Sequence, residues 1–502
     1  MKKSEAVFFE PQRQSSGAIV VFVYNFFVRL LRGFWPVLLV LFFRSGQKQS
    51  ITEILLNGVV LIGGGVSLVV SIISYFRYYY HVEADRLIIK KGVFNRSRTE
   101  LPFARIQNIH LEQNVLHRML NVVSLRIDSA GSSGSEITID ALERQRARDI
   151  RAYVLAQKQA EQGDEFDFGE RQGGGGLPQS LVLQLSLSDL LRVGVSQNHL
   201  RTAGIIVGAI FGFVFTLADA LGEDFWEQLR EEGEEIDPGF GIYTLLALGL
   251  IVVAFLLTLL RTIARHYNLR FYEDREGFTL KAGLFNQRET ALRKEKIQII
   301  RWKDNPIRRA LGIFVLQIRQ ATSGSQRSTD QVTIPGCRTE QVQDVVYSSF
   351  RDIADIQYSE HRISPAYLWW YFRYLGILPA LAFGIFLWQT GEPRFLIPIL
   401  GFPIVSFLYL RAFYRNYRLL VDTEYVRTDS GVLGHTHTLL PIFKVQSVEV
   451  RQSFYQRNKD LADVVLHTAG GSEQIPFLPV ATARSLRDYV LYRVEISREP
   501  WM

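Results

Sequence analysis

The chain has 502 residues, 47% of them hydrophobic, and a formal net charge of +7. A basic excess in so apolar a chain favours anionic lipid headgroups as partners. Nucleic acid is not expected as a partner, because no segment combines dense lysine and arginine with interleaved aromatics. Cys337 is the only cysteine, so an intrachain disulfide is excluded and a thiolate metal site is not expected.

Six apolar segments occur along the chain in three pairs, and a helix needs about 20 mostly apolar residues to cross a bilayer. They span residues 18–43, 54–75, 203–221, 243–260, 375–388 and 395–410. Arg29 and Arg32 lie inside the first segment, where a mid-bilayer arginine is costly. Both are therefore expected at the interface, and the boundaries of this helix stay open. The pattern predicts six transmembrane helices in three hairpins.

The charges that flank these segments are unevenly distributed. The acidic loop 222–239 joins the two segments of the second pair, whereas arginines follow the second segment of every pair. These arginines are Arg77, Arg261, Arg265, Arg411, Arg415 and Arg418. The positive-inside rule then predicts a multi-pass protein of the cell membrane whose soluble parts are cytoplasmic. Arg44 and Lys48, in the first hairpin loop, are two charges against this orientation.

The third apolar segment carries a stripe of small residues. Gly204, Gly208 and Gly212 fall four residues apart and so lie on one face of a helix. Such a stripe lets a second helix approach closely, either within the same bundle or across an oligomer seam. The sequence favours packing within the bundle and leaves the seam as the alternative.

A pattern of three residues recurs after each pair of apolar segments. A glycine is followed 15 residues later by a glutamine, and that glutamine is followed 23 residues later by an alanine. The sets are Gly92, Gln107 and Ala130; Gly283, Gln298 and Ala321; and Gly431, Gln446 and Ala469. Internal repetition at fixed spacing predicts three copies of one soluble module.

The local pattern predicts the fold of this module. Gln107, Ile109 and Leu111 alternate with polar residues, which predicts a strand with one buried face. A short helical turn, a second strand and a hairpin follow. Each module ends in an amphipathic helix, with its apolar face at Ala147, Ile150 and Val154 in the first copy. The expected fold is a bent antiparallel sheet or partial barrel closed by one C-terminal helix, an α+β arrangement.

These elements divide the chain into seven parts. We predict a first hairpin at 18–76, a first module at 77–158, a flexible linker at 159–180, an amphipathic segment and second hairpin at 181–262, a second module at 263–357, a third hairpin at 358–412 and a third module at 413–497. The run of four glycines at 173–176 has no P-loop ending, so it indicates a linker and not a phosphate-binding loop.

Two repeated polar positions are candidates for binding. Arg118, Arg309 and Arg457 recur in the helical turn and could contact phosphates or a partner, although a solvated arginine or an intradomain salt bridge is favoured. The repeated glutamine shares a face with apolar residues. Its amide is therefore expected to be partly buried and to clamp neighbouring backbone, with ligand contact as the alternative. His435 and His437 alternate on a strand without a third ligand nearby, so an exposed face is expected and not a metal site.

The first module reads Gly-Val-Phe at 92–94, Leu-Pro-Phe-Ala-Arg-Ile-Gln-Asn-Ile at 101–109, Leu-His-Arg-Met-Leu at 116–120 and Ala-Gly at 130–131. This pattern resembles the bacterial pleckstrin-homology-like (PH-like) domain, in the membrane-attached YdbS/YdbT-type group. Two departures are Arg293, where the other copies have Pro102 and Pro441, and the form Lys-Val-Gln at 444–446. The resemblance implies no catalytic residues and no cofactor. It also implies a setting of cell-envelope stress and tolerance of membrane-active peptides.

Together these features predict a non-enzymatic, membrane-embedded scaffold with three cytoplasmic modules for self-assembly or for binding lipid or a partner. The expected partners are anionic headgroups and a second copy or a companion PH-like membrane protein, with no nucleic acid, metal or cofactor. The alternative is a transporter or flippase. That activity calls for an ionisable residue within a span, and Asp219 is the only acidic candidate.

Overall fold

A computed structural model describes residues 11–28, 65–66, 68–83, 85–93, 95–103, 106–129, 137–150, 153–154, 180–221, 239–275, 277–321, 331–350, 358–390 and 396–499. The chain divides into two compact units. The first comprises residues 1–176, 197–268 and 281–289, and the second comprises 177–196, 269–280 and 290–502. The glycine linker at 173–176 and most of the first predicted hairpin lie outside the described residues.

The described strands are short and antiparallel. They are β1 Gln12–Arg13, β2 Tyr79–Glu83, β3 Arg86–Lys91, β4 Ser97–Pro102, β5 Ile106–Gln113, β6 Val122–Ser129, β7 Ile137–Glu143, β8 Ser180–Gln184, β9 Arg270–Glu273, β10 Gly277–Ala282, β11 Gln287–Arg293, β12 Ile297–Lys303, β13 Phe314–Gln320, β14 Gln331–Cys337, β15 Ser359–His361, β16 Arg418–Val421, β17 Tyr425–Ser430, β18 Thr436–Pro441, β19 Val445–Arg451, β20 Leu461–Thr468 and β21 Gly471–Pro479.

The described helices are of two kinds. Some are short connectors within the modules, and the others are longer helices that either are apolar or close a module. They are Val115–Met119, Leu187–Val195, His199–Leu221, Gly239–His266, Pro306–Ala310, Thr339–Ser349, Ala366–Phe372, Leu378–Thr390, Leu396–Asn416, Phe454–Arg457 and Val480–Ile496. A π-helical turn at Arg373–Ile377 makes Ala366–Thr390 continuous.

The first and third modules each consist of two antiparallel sheets and a closing helix. In the first module the strands run β1-β2-β3-β4 and then β5-β6-β7. Side chains from both sheets meet the helix in one core that contains Leu87, Phe103, Leu125 and Ile150. The third module repeats this with β15 to β18, β19-β20-β21 and the helix Val480–Ile496. The bent sheet closed by a C-terminal helix is confirmed.

The repeated glycine occupies one turn in all three modules. Gly92, Gly283 and Gly431 have φ angles of 114°, 119° and 119°. A Cβ atom at any of them would overlap the carbonyl oxygen three residues further on. Only glycine meets both demands at no steric cost, which explains why this residue recurs at the start of each repeat.

The repeated glutamine marks a β-bulge. The register shifts between Ile106 and Asn108, between Ile297 and Ile299, and between Val445 and Ser447. Gln107, Gln298 and Gln446 are therefore the extra residues in equivalent strands. A bulge bends its strand, and this bend lies where each module turns from one sheet into the next.

The helical turn that carries the repeated arginine is also confirmed. In each copy the residue before this helix is its N-cap, and the N-cap side chain accepts a hydrogen bond from the backbone N–H three residues further along the chain. These caps are Asn114, Asn305 and Ser453. Such caps satisfy one of the free N–H groups of a helix start, so a helix of only four or five residues holds the arginine in a fixed place.

The segment predicted as amphipathic, from residue 181, is a strand followed by a helix. β8 pairs with β9, and the helix Leu187–Val195 buries Leu190 and Val193 beside Gly336 of β14. This part of the chain belongs to the body of the second module, whereas the sequence pattern grouped it with the second hairpin as an amphipathic segment. Its outer side exposes Leu187, Leu191 and Val195.

Two described helices, Thr244–His266 and Ala366–Leu387, are long and apolar enough to cross a membrane. A third span is added if Leu187–Val195 and His199–Phe215 together form one broken segment. The described residues therefore support two or three spans, against six predicted from the sequence. The helix Leu396–Asn416 covers the sixth predicted segment but is not among these spans, and Pro403 lies inside it.

Candidate functional site: the module junctions

Strand pairing joins successive modules. In the second unit β12 of the second module lies beside β18 of the third, which gives a seven-stranded sheet in the order β14-β13-β12-β18-β17-β16-β15. In the first unit the end of β5 pairs with residues 287–288 at the start of β11. We call these contacts the 2–3 junction and the 1–2 junction. The sequence predicted separate modules and did not indicate shared sheets.

The 2–3 junction has four residue pairs in regular antiparallel register, from Ile300 opposite Leu439 to Lys303 opposite Thr436. The ladder continues with a hydrogen bond of 3.0 Å from the Asp304 N–H to the His435 carbonyl. Ile300 is fully buried and Leu439 is 2% exposed. The junction is therefore a piece of continuous sheet with its own apolar contacts.

A buried ion pair crosses this junction. The Arg301 guanidinium lies 2.5 Å from the Glu473 carboxylate and donates a second hydrogen bond, of 2.9 Å, to the Thr438 hydroxyl. Glu473 also accepts a hydrogen bond of 2.7 Å from the Thr428 hydroxyl. The two charged side chains are only 17% and 13% exposed. Removing one partner of such a pair leaves an uncompensated charge, so the contact fixes one arrangement of the two modules.

The repeated arginine of the second module belongs to the same junction. Arg309 donates two hydrogen bonds of 3.0 Å to the two carboxylate oxygens of Asp304, and its guanidinium lies 2.5 Å from the His435 ring. Asp304 accepts a further bond of 2.7 Å from the His435 N–H. Burial raises the pKa of Asp304, but these hydrogen bonds lower it by more, so the net pKa lies below its ordinary 3.8.

An aromatic stack covers the opposite side of the strand pair. The rings of Trp302 and His437 are stacked with centroids 5.3 Å apart, and the Arg427 guanidinium lies 5.4 Å from the Trp302 ring. Asp429 accepts a hydrogen bond from His437 at 2.7 Å and pairs with Arg427. The two histidines considered from the sequence therefore lie at the junction, where they contact a tryptophan, an arginine and carboxylates.

Lys444 is buried just beyond the paired strands. Only 3% of it is exposed, and its ammonium donates to the backbone carbonyl of Glu295. Burial lowers the pKa of Lys444 to about 8, although Glu295 acts in the opposite direction. A lysine held in this way is a further fixed contact between the second and third modules.

The 1–2 junction has the same register but fewer contacts. Gln113 lies opposite Gln287, and Glu112 lies opposite Arg288. The repeated arginine again reaches the following module, because the Arg118 guanidinium donates a hydrogen bond of 2.8 Å to the Leu284 carbonyl. Arg118 and Arg309 thus occupy equivalent positions, and each contacts the following module.

Arg457, the third member of the set, is exposed, and the described part of the chain offers its side chain no hydrogen bond or ion pair. The repeated glutamines differ in the same way. Gln298 is fully buried beside Gly470, whereas Gln446 is exposed; the burial of Gln107 is not described. Binding of lipid or a partner by the three arginines stays a prediction, although two of them already hold protein groups.

The glycine stripe of the second hairpin faces away from its neighbour. A Cβ atom at Gly204, Gly208 or Gly212 would meet no heavy atom within 4 Å among the described residues. The helix contacts its partner on another face, where the Thr258 hydroxyl donates a hydrogen bond of 2.9 Å to that of Thr202. These contacts do not decide between packing of the stripe within the bundle and an oligomer seam.

Sequence reasoning missed Arg301, Glu473 and Lys444. Arg301 precedes Trp302 in a strand whose alternation was recognised, but its partner Glu473 is 172 residues away in another module. Nothing local marks such a pair. Within the described residues no group of His, Cys, Asp or Glu side chains is arranged to hold a metal ion.

Comparison with known proteins agrees with this repeated layout. A family model described as "Bacterial PH domain" matches residues 28–158, 212–353 and 372–494. The UPF0699 transmembrane protein YdbT of Bacillus subtilis (strain 168) is 22% identical over 266 residues, which cover 52% of this chain and 53% of that protein. The chain thus spans about half the length of this curated relative.

Proposed function

The chain belongs to the bacterial PH domain family, and from this premise we propose that it is a non-enzymatic scaffold of the cell membrane. It presents three PH-like modules in a row as docking sites for proteins, with anionic headgroups as a further ligand. The 2–3 junction carries the proposal, because there one module binds another by strand addition, a general mode of protein recognition.

The membrane setting supports this role. Thr244–His266 and Ala366–Leu387 are apolar helices of spanning length, and the relative in Bacillus subtilis is described as a transmembrane protein. Within the proposal the chain is multi-pass with six spans, and the arginines that follow each apolar pair place the modules in the cytoplasm. A role in envelope stress and in tolerance of membrane-active peptides is part of the proposal and derives from the family resemblance alone.

Purification of the tagged full-length protein from native membranes in mild detergent tests the scaffold role. We expect further copies of the chain, or a second protein at a fixed ratio, together with retained anionic lipid. Recovery of single chains with neither protein nor lipid would contradict the proposal. If the purified protein instead moves lipids or solutes across vesicle membranes, a transporter becomes the better description.

The orientation is tested separately with cysteines placed in a Cys337→Ser background. A cysteine at Glu232, in the acidic loop, is expected to react with a membrane-impermeant maleimide applied to intact cells. A cysteine at Ser133, in the first module, is expected to react only after lysis. The reverse pattern would place the modules outside the cell and overturn the cytoplasmic assignment.

A further inference from the structure

In the part of the chain that the structure describes, two sheet edges lack the neighbour that their equivalents have. β12 is flanked by β18, and the end of β5 by residues 287–288. In the repeated pattern β19 corresponds to β5 and β12, but it is an edge strand of the sheet β19-β20-β21. Likewise β4 is the equivalent of β11 and β18, yet it ends the sheet β1-β2-β3-β4.

Burial shows what the missing neighbour would cover. Gln298 of β12 is fully buried and lies against Gly470 of the third module. Its equivalent in β19, Gln446, is exposed. The surface that β12 buries in the 2–3 junction is therefore open to solvent on β19 in the described part of the chain.

The repeated arginine gives a second, independent observation. Arg118 donates to the Leu284 carbonyl of the following module, and Arg309 lies against His435 of the following module. Arg457 is held in the same kind of capped helix, but among the described residues its exposed side chain has no such contact. In the first and second modules, the arginine at this position contacts the glycine-containing hairpin of the next PH-like module. The Arg457 guanidinium occupies the equivalent position in the third module.

We propose that β19 of one chain pairs with β4 of a second copy, and that Arg457 contacts the backbone of its Gly92 hairpin. The register follows from the two junctions, since Glu112 opposite Arg288 and Lys303 opposite Thr436 are equivalent pairs. It places Arg451 opposite Ser97 and Glu449 opposite Thr99. All four residues belong to described strands at sheet edges.

This contact joins two different surfaces, so it repeats and generates a closed ring or an open string of chains along the membrane. It is expected to be weaker than the 2–3 junction, because Glu100 and Arg98 stand where β18 has Leu439 and His437. Exposed charges on an edge strand oppose pairing without forbidding it. The inference rests on the proposed scaffold function and identifies the docked protein as a second copy.

The test is disulfide cross-linking between separate full-length chains, both in a Cys337→Ser background. One chain carries Glu449→Cys, the other carries Thr99→Cys, and different tags distinguish them in native membranes. A disulfide forms only when the Cα atoms lie within about 7 Å. We expect a covalent product that contains both tags, and a second one from Arg451→Cys with Ser97→Cys.

Two matched controls use cysteines that the proposed pairing keeps apart. Glu449→Cys with Ser97→Cys is two residues out of register, and its yield is expected to be several-fold lower. Ser472→Cys, on the opposite edge strand β21, is expected to give no product with Thr99→Cys. Equal yields from all pairs would show random collision and overturn the proposal.

A chain that carries both Glu449→Cys and Thr99→Cys separates the remaining cases. A bond formed within single chains, without any product between tags, would show that the two edges close on each other and would overturn the second-copy proposal. If no cross-link forms while purification retains a different protein, the scaffold function stands and this inference fails. If purification retains neither a partner nor lipid and no cross-link forms, the scaffold function and this inference both fail.

Arg457→Ala tests the second contact in the same assay. Because the Arg457 side chain is exposed, its truncation leaves the core intact, and protease resistance of the variant checks this directly. We expect a several-fold lower yield of the Glu449→Cys and Thr99→Cys product, with partial recovery in Arg457→Lys. An unchanged yield in Arg457→Ala would remove the arginine from the proposed contact.

Discussion

The two junctions share one register but differ in how they are held. The 2–3 junction combines four residue pairs with the buried Arg301–Glu473 ion pair and the Trp302–His437 stack. Among the described residues, the 1–2 junction shows two residue pairs and one exposed hydrogen bond, from Arg118 to the Leu284 carbonyl. Since the backbone geometry is the same, the side chains decide how firmly one module holds the next.

This contrast indicates that a single docking mode is used at different strengths. Buried charges and aromatic rings make the 2–3 contact specific for one partner surface, because mispairing would leave them unsatisfied. The 1–2 contact depends on backbone pairing and one side chain, which many partner edges could satisfy. A local measure of stability, such as amide hydrogen exchange of the full-length protein in detergent, can compare the two junctions directly.

The largest effect is expected from Glu473→Ala. It leaves the Arg301 guanidinium buried without its carboxylate, which typically costs about 3–5 kcal/mol. Hydrogen exchange should then become faster in β12 and β18, whereas residues 287–288 of the 1–2 junction should keep their exchange rates. Unchanged exchange in β12 would show that the ion pair contributes nothing to the junction.

Two further variants control this prediction. Glu449→Ala removes a carboxylate from the same module, but the Glu449–Arg451 pair is exposed and screened by solvent, so hydrogen exchange in β12 and β18 is expected to stay unchanged. Arg301→Met combined with Glu473→Leu replaces both buried charges by apolar groups and is expected to recover much of the lost protection. Failure of this recovery would assign the loss to poor packing and not to the unpaired charge.

A smaller effect is expected from Asp304→Asn, which keeps an acceptor for the His435 N–H but weakens the two bonds from Arg309. A hydrogen bond to a charged group contributes about 1.5–3 kcal/mol. The folded-state pKa of Asp304 lies below its ordinary value, so its contribution is complete above that value and is lost as pH falls through the folded pKa.

The thermal midpoints of the wild type and Asp304→Asn should therefore differ at neutral pH and converge in acid, below about pH 4. Other carboxylates titrate in the same range, but they do so in both proteins and cancel in the difference. A gap between the two midpoints that persists or widens in acid would contradict the assignment of this carboxylate as the ionised partner of Arg309.

Local parts of the architecture could be predicted from the sequence. The spacing of Gly92, Gln107 and Ala130 identified the module, because a turn that only glycine fits and a bulge in one strand recur at fixed distances along the chain. Alternation identified β5, β12 and β19. These signals come from residues close together in the sequence, so they can be recognised without knowing which surface each strand contacts.

The junctions could not be predicted in this way. Arg301 finds Thr438 and Glu473 at separations of 137 and 172 residues, and no periodicity connects them. The place of the helix Leu187–Val195 in the second module could not be predicted for a related reason. Its apolar face is equally suited to a membrane surface and to a protein core, and only the position of β14 decides between them.

The smallest effect is expected from Arg118→Ala. The lost hydrogen bond is exposed, so the cost is expected at the low end of the range of about 0.5–1.5 kcal/mol for an ordinary hydrogen bond. Exchange should increase at residues 287–288 and stay unchanged in β12. Arg309→Ala, the matched substitution in the 2–3 junction, is expected to cost more because it breaks two bonds to Asp304.

The same Arg118→Ala variant decides whether this arginine serves the junction or the lipid. If Arg118 contacts anionic headgroups, its loss lowers the amount of acidic lipid that the purified protein retains, and the difference from the wild type shrinks as salt rises. If it serves the junction, lipid retention is unchanged and the exchange at 287–288 increases. Among the described residues its guanidinium contacts the Leu284 carbonyl through one donor, and its other donors could bind a headgroup. A change in both measurements would mean that the junction forms part of the lipid-binding surface.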